Sequence, residues 1–179
     1  ITHTVYSAGV ASLQMIPNLL NDSLGKPTYR RDEFETVYDI NVFGFLRVMS
    51  ALSRSFNQGR VVAIVSDASR TPMRGSIAYC SSKAALAMSV KVAARELAPR
   101  WQINGVSPCV VEDTPMTDWI DSSVPPFRGW EPEKAREYER SSIPMGRRAT
   151  KEEVADVIIT TITGPEFLTG SIIDITGGK

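Results

Sequence analysis

Val61-Val62-Ala63-Ile64-Val65, closed by Ser66, is the stretch on which the fold turns. An unbroken apolar run of this length reads as a strand buried on both faces of a parallel sheet, because a strand with one wet face would alternate polar and apolar residues. Ser66 then sits at the carboxyl end of that strand, where open α/β sheets bind their ligands. Its hydroxyl is therefore a candidate site group.

Working outward, Ala78-Tyr79-Cys80-Ser81-Ser82-Lys83-Ala84-Ala85-Leu86 sets a phenol and an ammonium four residues apart. On a helix that spacing stacks them on one face. A tyrosine titrates near 10, so a phenol that exchanges a proton near neutrality needs a neighbouring positive charge. An ammonium ~5 Å away, at an effective dielectric of about 20, supplies roughly 3 kcal/mol, or about two pKa units. The competing reading is a snorkelling surface pair without chemistry. Ser66, thirteen residues upstream of Tyr79, gives the pair its context.

Other elements can be placed around this pair. Apolar residues at Phe34, Val37, Tyr38, Phe45, Met49 and Leu52 recur at helical spacing between Asp32 and Phe56, and Asn41 falls on the same stripe. A polar side chain on a buried face must find partners, so Asn41 is either a structural bridge or part of a site. The helix carrying Tyr79 is predicted from about Ser76 to Leu97, stopped by Pro99. Gln102 to Ser107 and Ser171 to Ile175 read as strands. Thr150-Lys151-Glu152-Glu153 is a capping box that opens a helix running to about Ile162. Residues 10 to 30, with Pro17, Gly25 and Pro27, read as a loop with at most one short helix. From Asp113 to Arg148 the composition shifts to prolines with Trp119, Phe127 and Trp130, the signature of a functional lid. The three aromatics either line an apolar pocket or anchor the lid to the body. Glu131 to Arg140 alternates charges as a solvated helix face does.

With Ser66, Tyr79 and Lys83 in order and spacing, the chain resembles the short-chain dehydrogenase/reductase family. Ser7-Ala8-Gly9 resembles the family's turn after the fourth strand, and Asp39-Ile40-Asn41-Val42 the helix bearing its catalytic asparagine. Ser107-Pro108-Cys109 through Thr114-Pro115-Met116 is similar to its nicotinamide loop. Gly146-Arg147, Glu152-Glu153-Val154-Ala155, Thr169-Gly170 and Thr176-Gly177-Gly178 resemble its closing segments. The resemblance implies a doubly wound, Rossmann-like α/β sheet and hydride transfer between NAD or NADP and a carbonyl compound or secondary alcohol. It assigns catalysis to Asn41, Ser66, Tyr79 and Lys83, with Asn41 at a helix irregularity holding a water beside the lysine. It assigns cofactor contacts to Ala8, Gly9, Tyr79, Lys83, Pro108, Cys109, Val111 and Thr114. The small residues Ala84, Ala85, Ala87, Ala93 and Ala94 match the family's subunit-facing helices, which implies a homodimer or homotetramer.

Departures from the pattern are as informative. Cys109 stands where the family has glycine, so its side chain is expected to crowd the nicotinamide. The loop before Thr114 is one residue longer than usual, and Thr176 replaces an aspartate. Lys83 argues against the dehalogenase variants that carry arginine there, and its short distance from Tyr79 argues against the enoyl-reductase branch. The glycine-rich phosphate-binding loop has no counterpart in this sequence, and Ile1 to Val5 corresponds to the family's fourth strand. The reading thus expects a single domain over residues 1–179 that forms the C-terminal part of a longer dehydrogenase, with roughly 80 residues upstream. The alternative is a noncatalytic, cofactor-free relative that serves as a binding or scaffold subunit.

Composition agrees with a globular domain. The chain has 179 residues, 42% of them hydrophobic and 22% charged, and its 20 basic and 20 acidic residues cancel. That balance gives no reason to expect nucleic acid or an anionic membrane as partner, which leaves a small-molecule substrate. Two cysteines, Cys80 and Cys109, offer neither a disulfide framework nor a metal site, as in proteins of the reducing cytoplasm. One histidine, His3, rules out a His-rich metal centre.

Overall fold

The computed structural model describes residues 3–14 and 31–179, so most of the loop expected over 10–30 lies outside the described residues. Four strands, β1 (His3–Tyr6), β2 (Gly59–Ile64), β3 (Trp101–Pro108) and β4 (Ile172–Ile175), lie side by side in chain order and run parallel. Val61 of β2 sits opposite Thr4 on one side and Ile103 on the other, so the apolar run occupies the interior of the sheet. Its residues part by pleat. Val61, Ala63 and Val65 pack into one core with Phe45, Met49, Leu86 and Val90, whereas Val62 packs into a second with Val106 and Ile162. Helices therefore cover both faces, which is why the 61–65 run carries no polar residue. The sheet is doubly wound and Rossmann-like, as expected.

The helix expected from Asp32 to Phe56 is divided. It comprises α1 (Arg31–Tyr38), a π-helical turn (Asp39–Phe43) and α2 (Gly44–Ser55). The reason is legible in the stripe. Val37, Asn41, Phe45 and Met49 are all buried and spaced by four, a period that drifts about 40° per step around a regular α-helix. One wide turn absorbs the drift and keeps all four on the sheet-facing side. The Tyr6 hydroxyl at the end of β1 donates to the Ile40 carbonyl in this turn.

The third helix, α3 (Ile77–Leu97), begins after Ser76 and ends at Ala98, before Pro99. Between β3 and β4 come α4 (Pro115–Arg128), α5 (Pro132–Ser142) and α6 (Lys151–Thr163). Thr114 caps α4 by accepting from the Thr117 amide, with Pro115 pre-set in the first turn. Gly129 ends it at φ 67°. Thr150 and Glu153 form the expected reciprocal capping box of α6. The α4–α5 pair is tied down at two points. Arg148 donates to Asp121 on α4 and to Glu139 on α5, with nitrogen–oxygen distances of 2.6 and 2.5 Å. Phe127 lies flat against Gly75, where a Cβ would collide with its ring and φ is +83°. Phe127 thus serves as the anchor of the two readings offered for it. The charged residues of α5 are exposed apart from Glu139, and none of that helix is fully buried.

Candidate active site

Beyond the carboxyl ends of β1, β2 and β3, and under α4 and α5, lies a cavity of about 450 Å³. Ser66, Tyr79 and Lys83 line it together, and so do Gly9, Pro108, Cys109, Val111 and Thr114. Ala8 does not: it is exposed, between Ser7 and Gly9, which do line the cavity. Ser76 also lines it, whereas Ser69 lies outside. Trp119 and Trp130 line the lid side of the cavity.

The fold brings the three heads together by one tether. Lys83 is 3% exposed, and its ammonium donates to the carbonyl of Ile64, the last residue of β2, at 2.9 Å. That bond ties the middle of α3 to the strand whose continuation is Ser66. Lys83 Nζ lies 5.9 Å from the centre of the Tyr79 ring, stacked as the four-residue spacing requires. The Ser66 hydroxyl donates weakly to Asp67 at 3.3 Å and accepts from the Ala68 amide at 3.2 Å. On the lid side, Met116 Sδ stands 4.0 Å from the phenol oxygen.

Burial dominates the electrostatics. It raises the Tyr79 phenol above its ordinary value, with Ser66 working against that rise and Asp67 adding to it. Burial also lowers Lys83 from 10.5 to about 8. The lowering of the phenol expected from Lys83 is not among these influences. The ammonium is directed to the Ile64 carbonyl, and desolvation acts on both members of the pair. Burial raises the thiols of Cys80 and Cys109 as well.

Asn41 is fully buried behind the cavity and does not line it. Its amide donates to the Val10 carbonyl at 3.0 Å and to Ser82 Oγ at 2.9 Å, while its Oδ1 accepts from the Val10 amide at 2.9 Å. Both amide hydrogens are thereby spent. Ser82, which the sequence reading did not single out, passes the connection on by donating to the Tyr79 carbonyl at 2.8 Å. The only signal for it was its place between Tyr79 and Lys83, on the face that meets Asn41. The chain Val10–Asn41–Ser82–Tyr79 fixes the loop after β1 against α3. A Cβ added to Gly9 would lie 3.3 Å from Lys83 Nζ, so this loop closes over the ammonium.

Arg148 and Lys179 were likewise unforeseen. Lys179 Nζ pairs with the buried Asp67 carboxylate at 2.8 Å on the cavity wall. Both pairings join residues far apart in sequence, and no local pattern announces them.

A parallel, doubly wound sheet with a ligand-sized cavity at its strand ends defines a Rossmann-like α/β protein. A family profile described as enoyl-(acyl carrier protein) reductase matches residues 5–179. A 3-oxoacyl-[acyl-carrier-protein] reductase of Thermotoga maritima is 32% identical over 154 residues, covering 83% of this chain and 58% of that protein. The L-xylulose reductase of Mus musculus is 30% identical over 156 residues, covering 83% and 59%. The chain thus spans less than two thirds of the length of these relatives. The crystal structure of NAD+-bound xylitol dehydrogenase superposes with a TM-score of 0.87 at 26% identity, over 99% of this chain and 68% of that one. The chain belongs to the short-chain dehydrogenase/reductase family. Among the described residues no helix is long and apolar enough to cross a membrane.

Proposed function

We propose that the protein transfers a hydride between NAD or NADP and a small carbonyl compound or secondary alcohol. The observation that carries this reading is the convergence of Ser66, Tyr79 and Lys83 on one cavity, with Lys83 tethered to Ile64 beside Ser66. In reduction the Tyr79 phenol gives its proton to the carbonyl oxygen as the C=O bond becomes C–H and O–H. In oxidation the phenolate takes that proton back. Ser66 donates a hydrogen bond to the oxygen as its charge grows and orients the substrate. The phenolate left after reduction is reprotonated from solvent, with the positive charge of Lys83 held beside it. Asn41, through Val10 and Ser82, is a positioning residue that holds the loop and the helix carrying this pair in register.

The residues suit a nicotinamide nucleotide. Lys83 is a buried ammonium with three donors and one hydrogen bond, so two N–H groups remain for ribose hydroxyls. Gly9 and the 108–114 loop, Cys109 included, form the rest of that wall. When bound, the cofactor supplies or accepts the hydride, two electrons with one hydrogen. The four-residue step from Tyr79 to Lys83 favours carbonyl over enoyl reduction, whatever the description of the matched profile. Family precedent supports a cytoplasmic homodimer or homotetramer, with no nucleic acid or membrane partner.

The test is a carbonyl and alcohol screen with both NAD and NADP on the protein in its natural length. Turnover followed at the nicotinamide absorbance band is expected. Cofactor-independent ligand binding without any turnover would instead favour the scaffold-subunit reading.

A further inference from the structure

The outer half of the cavity has its own electrostatic design. Three carboxylates line the cavity, and each is already matched: Asp67 by Lys179, and Asp121 and Glu139 by Arg148. Arg136 is matched in turn, by Glu133 at 2.9 Å. Arg128 is different. It lines the same cavity, has no ion-pair partner among the described residues, and its Nε is buried without a hydrogen bond. Its guanidinium is held over the Trp130 ring, 5.1 Å from the centroid, and Lys134 Nζ lies 5.6 Å from the same centroid. Trp130 packs in turn on Tyr138 at 5.1 Å. A buried guanidinium donor without an acceptor is costly, and a fork already immobilised on an aromatic face loses little freedom when it meets an oxyanion.

We propose that Arg128 is an anion subsite, and that the substrate is an elongated carbonyl compound whose far end carries a carboxylate or phosphate. The inference rests on the carbonyl-reduction reading above and adds the substrate class to it. The span fits. Met116, at the phenol, and Arg128 stand at opposite ends of α4, about 18 Å apart along the helix axis at 1.5 Å per residue. The arginine side chain leans back toward the helix start and shortens that reach. Between them Trp119, Ile120 and Val124 give the wall an apolar middle. The reacting carbonyl would lie at Tyr79, an aliphatic stretch along α4, and the oxyanion at the Arg128 guanidinium, whose charge it would offset.

The experiment compares a long-chain oxo acid with its methyl ester as substrates for the wild type, Arg128→Lys and Arg128→Met. In the wild type kcat/KM is expected to favour the acid at least tenfold, expressed in KM. Arg128→Met should bring that ratio to about one, while Arg128→Lys retains part of it. An equal rate for acid and ester in the wild type, or a ratio unmoved by Arg128→Met, overturns the proposal. A second measurement needs no turnover: inorganic phosphate titrated at constant ionic strength, read by tryptophan fluorescence. A saturable change in the wild type that is absent from Arg128→Met supports the subsite. No change, or the same change in both proteins, overturns it. If neither substrate reacts although the carbonyl screen gives turnover, the proposed substrate class is overturned; if that screen also gives none, the reduction reading has failed and the phosphate titration alone decides the subsite.

Discussion

Lys83 donates its hydrogen bond to Ile64 across the gap between α3 and β2, and this 2.9 Å contact brings the ammonium and phenol of one helix to the strand end that bears Ser66. The site is therefore a property of helix-to-sheet packing, and perturbations of that packing should be felt as chemistry.

Tyr79→Phe removes only the phenol oxygen and leaves the packed ring. We expect kcat to fall by about 10² to 10⁴, the usual share of a positioned acid or base. Nicotinamide binding, followed by fluorescence titration, should change little. Full activity in this variant would discard the acid/base role.

Lys83 links stability to pH. Its value in the folded protein, about 8, lies below the ordinary 10.5, so between these limits the unfolded chain holds a proton that the folded chain has released. Stability then rises with pH across that window, by an amount on the order of 3 kcal/mol at most. Lys83→Met should abolish this contribution. Denaturant midpoints of both proteins from pH 7.5 to 10 give it as a difference, in which the opposing effects of Tyr79 and the cysteines cancel.

Asn41→Leu keeps the branching at Cγ, with bulkier ends, and deletes the bridge. The Val10 amide and carbonyl and the Ser82 hydroxyl would then lack the partner they now share. A loss of roughly 2 to 4 kcal/mol is expected for buried groups left unpaired. Asn41→Asp should be nearly as damaging, since the Val10 and Ser82 oxygens would face a carboxylate with no N–H to give. Urea denaturation reads both.

Arg148→Met should release the lid. The Arg148 side chain is 20% exposed and joins Asp121 of α4 to Glu139 of α5, so its loss frees two helices from each other. Cleavage within residues 115–142 under limited proteolysis should quicken several-fold, and KM should rise more than kcat falls. The clamp also has a pH limit. Arg148 holds the Asp121 carboxyl below its ordinary 3.8, so the stabilisation is complete above that pH and is lost as pH falls below it. The wild type should become as protease-sensitive as the variant in acid.

Short-range order was the legible part of this chain. The 61–65 run gave a central parallel strand because burial on both faces leaves no polar position, and Thr150 with Glu153 marked a helix start through hydrogen bonds three residues apart. Tyr79 and Lys83 could be paired because one helix face carries both. The π turn at Asp39–Phe43 was harder to read, since a spacing of four also suits an ordinary helix over two turns. Ser82 reaches back to Asn41, Arg148 to Asp121 and Lys179 to Asp67, partners far away in the chain, and periodicity carries no trace of them. The direction of the Tyr79 shift was also hidden. The sequence shows a charge four residues away but not how little water reaches it.

The wide turn has a consequence for how this protein tolerates change in length. Removing one residue between Asp39 and Phe43 would restore an ordinary helical ladder, and because five residues of a wide turn sweep about the same angle as four of a regular helix, the side chains of α2 would keep their facing. Phe45 and Met49 would stay in the core, whereas a deletion in the regular turns of α2 ahead of Met49 would swing the later residues by about 100° and carry Met49 and Leu52 out of it. The segment should therefore accept a single-codon deletion better than the regular turns beside it, and a deletion scan through residues 32–55 should find its shallowest loss of soluble protein within these five positions, Asn41 excepted because its bridge would go with it.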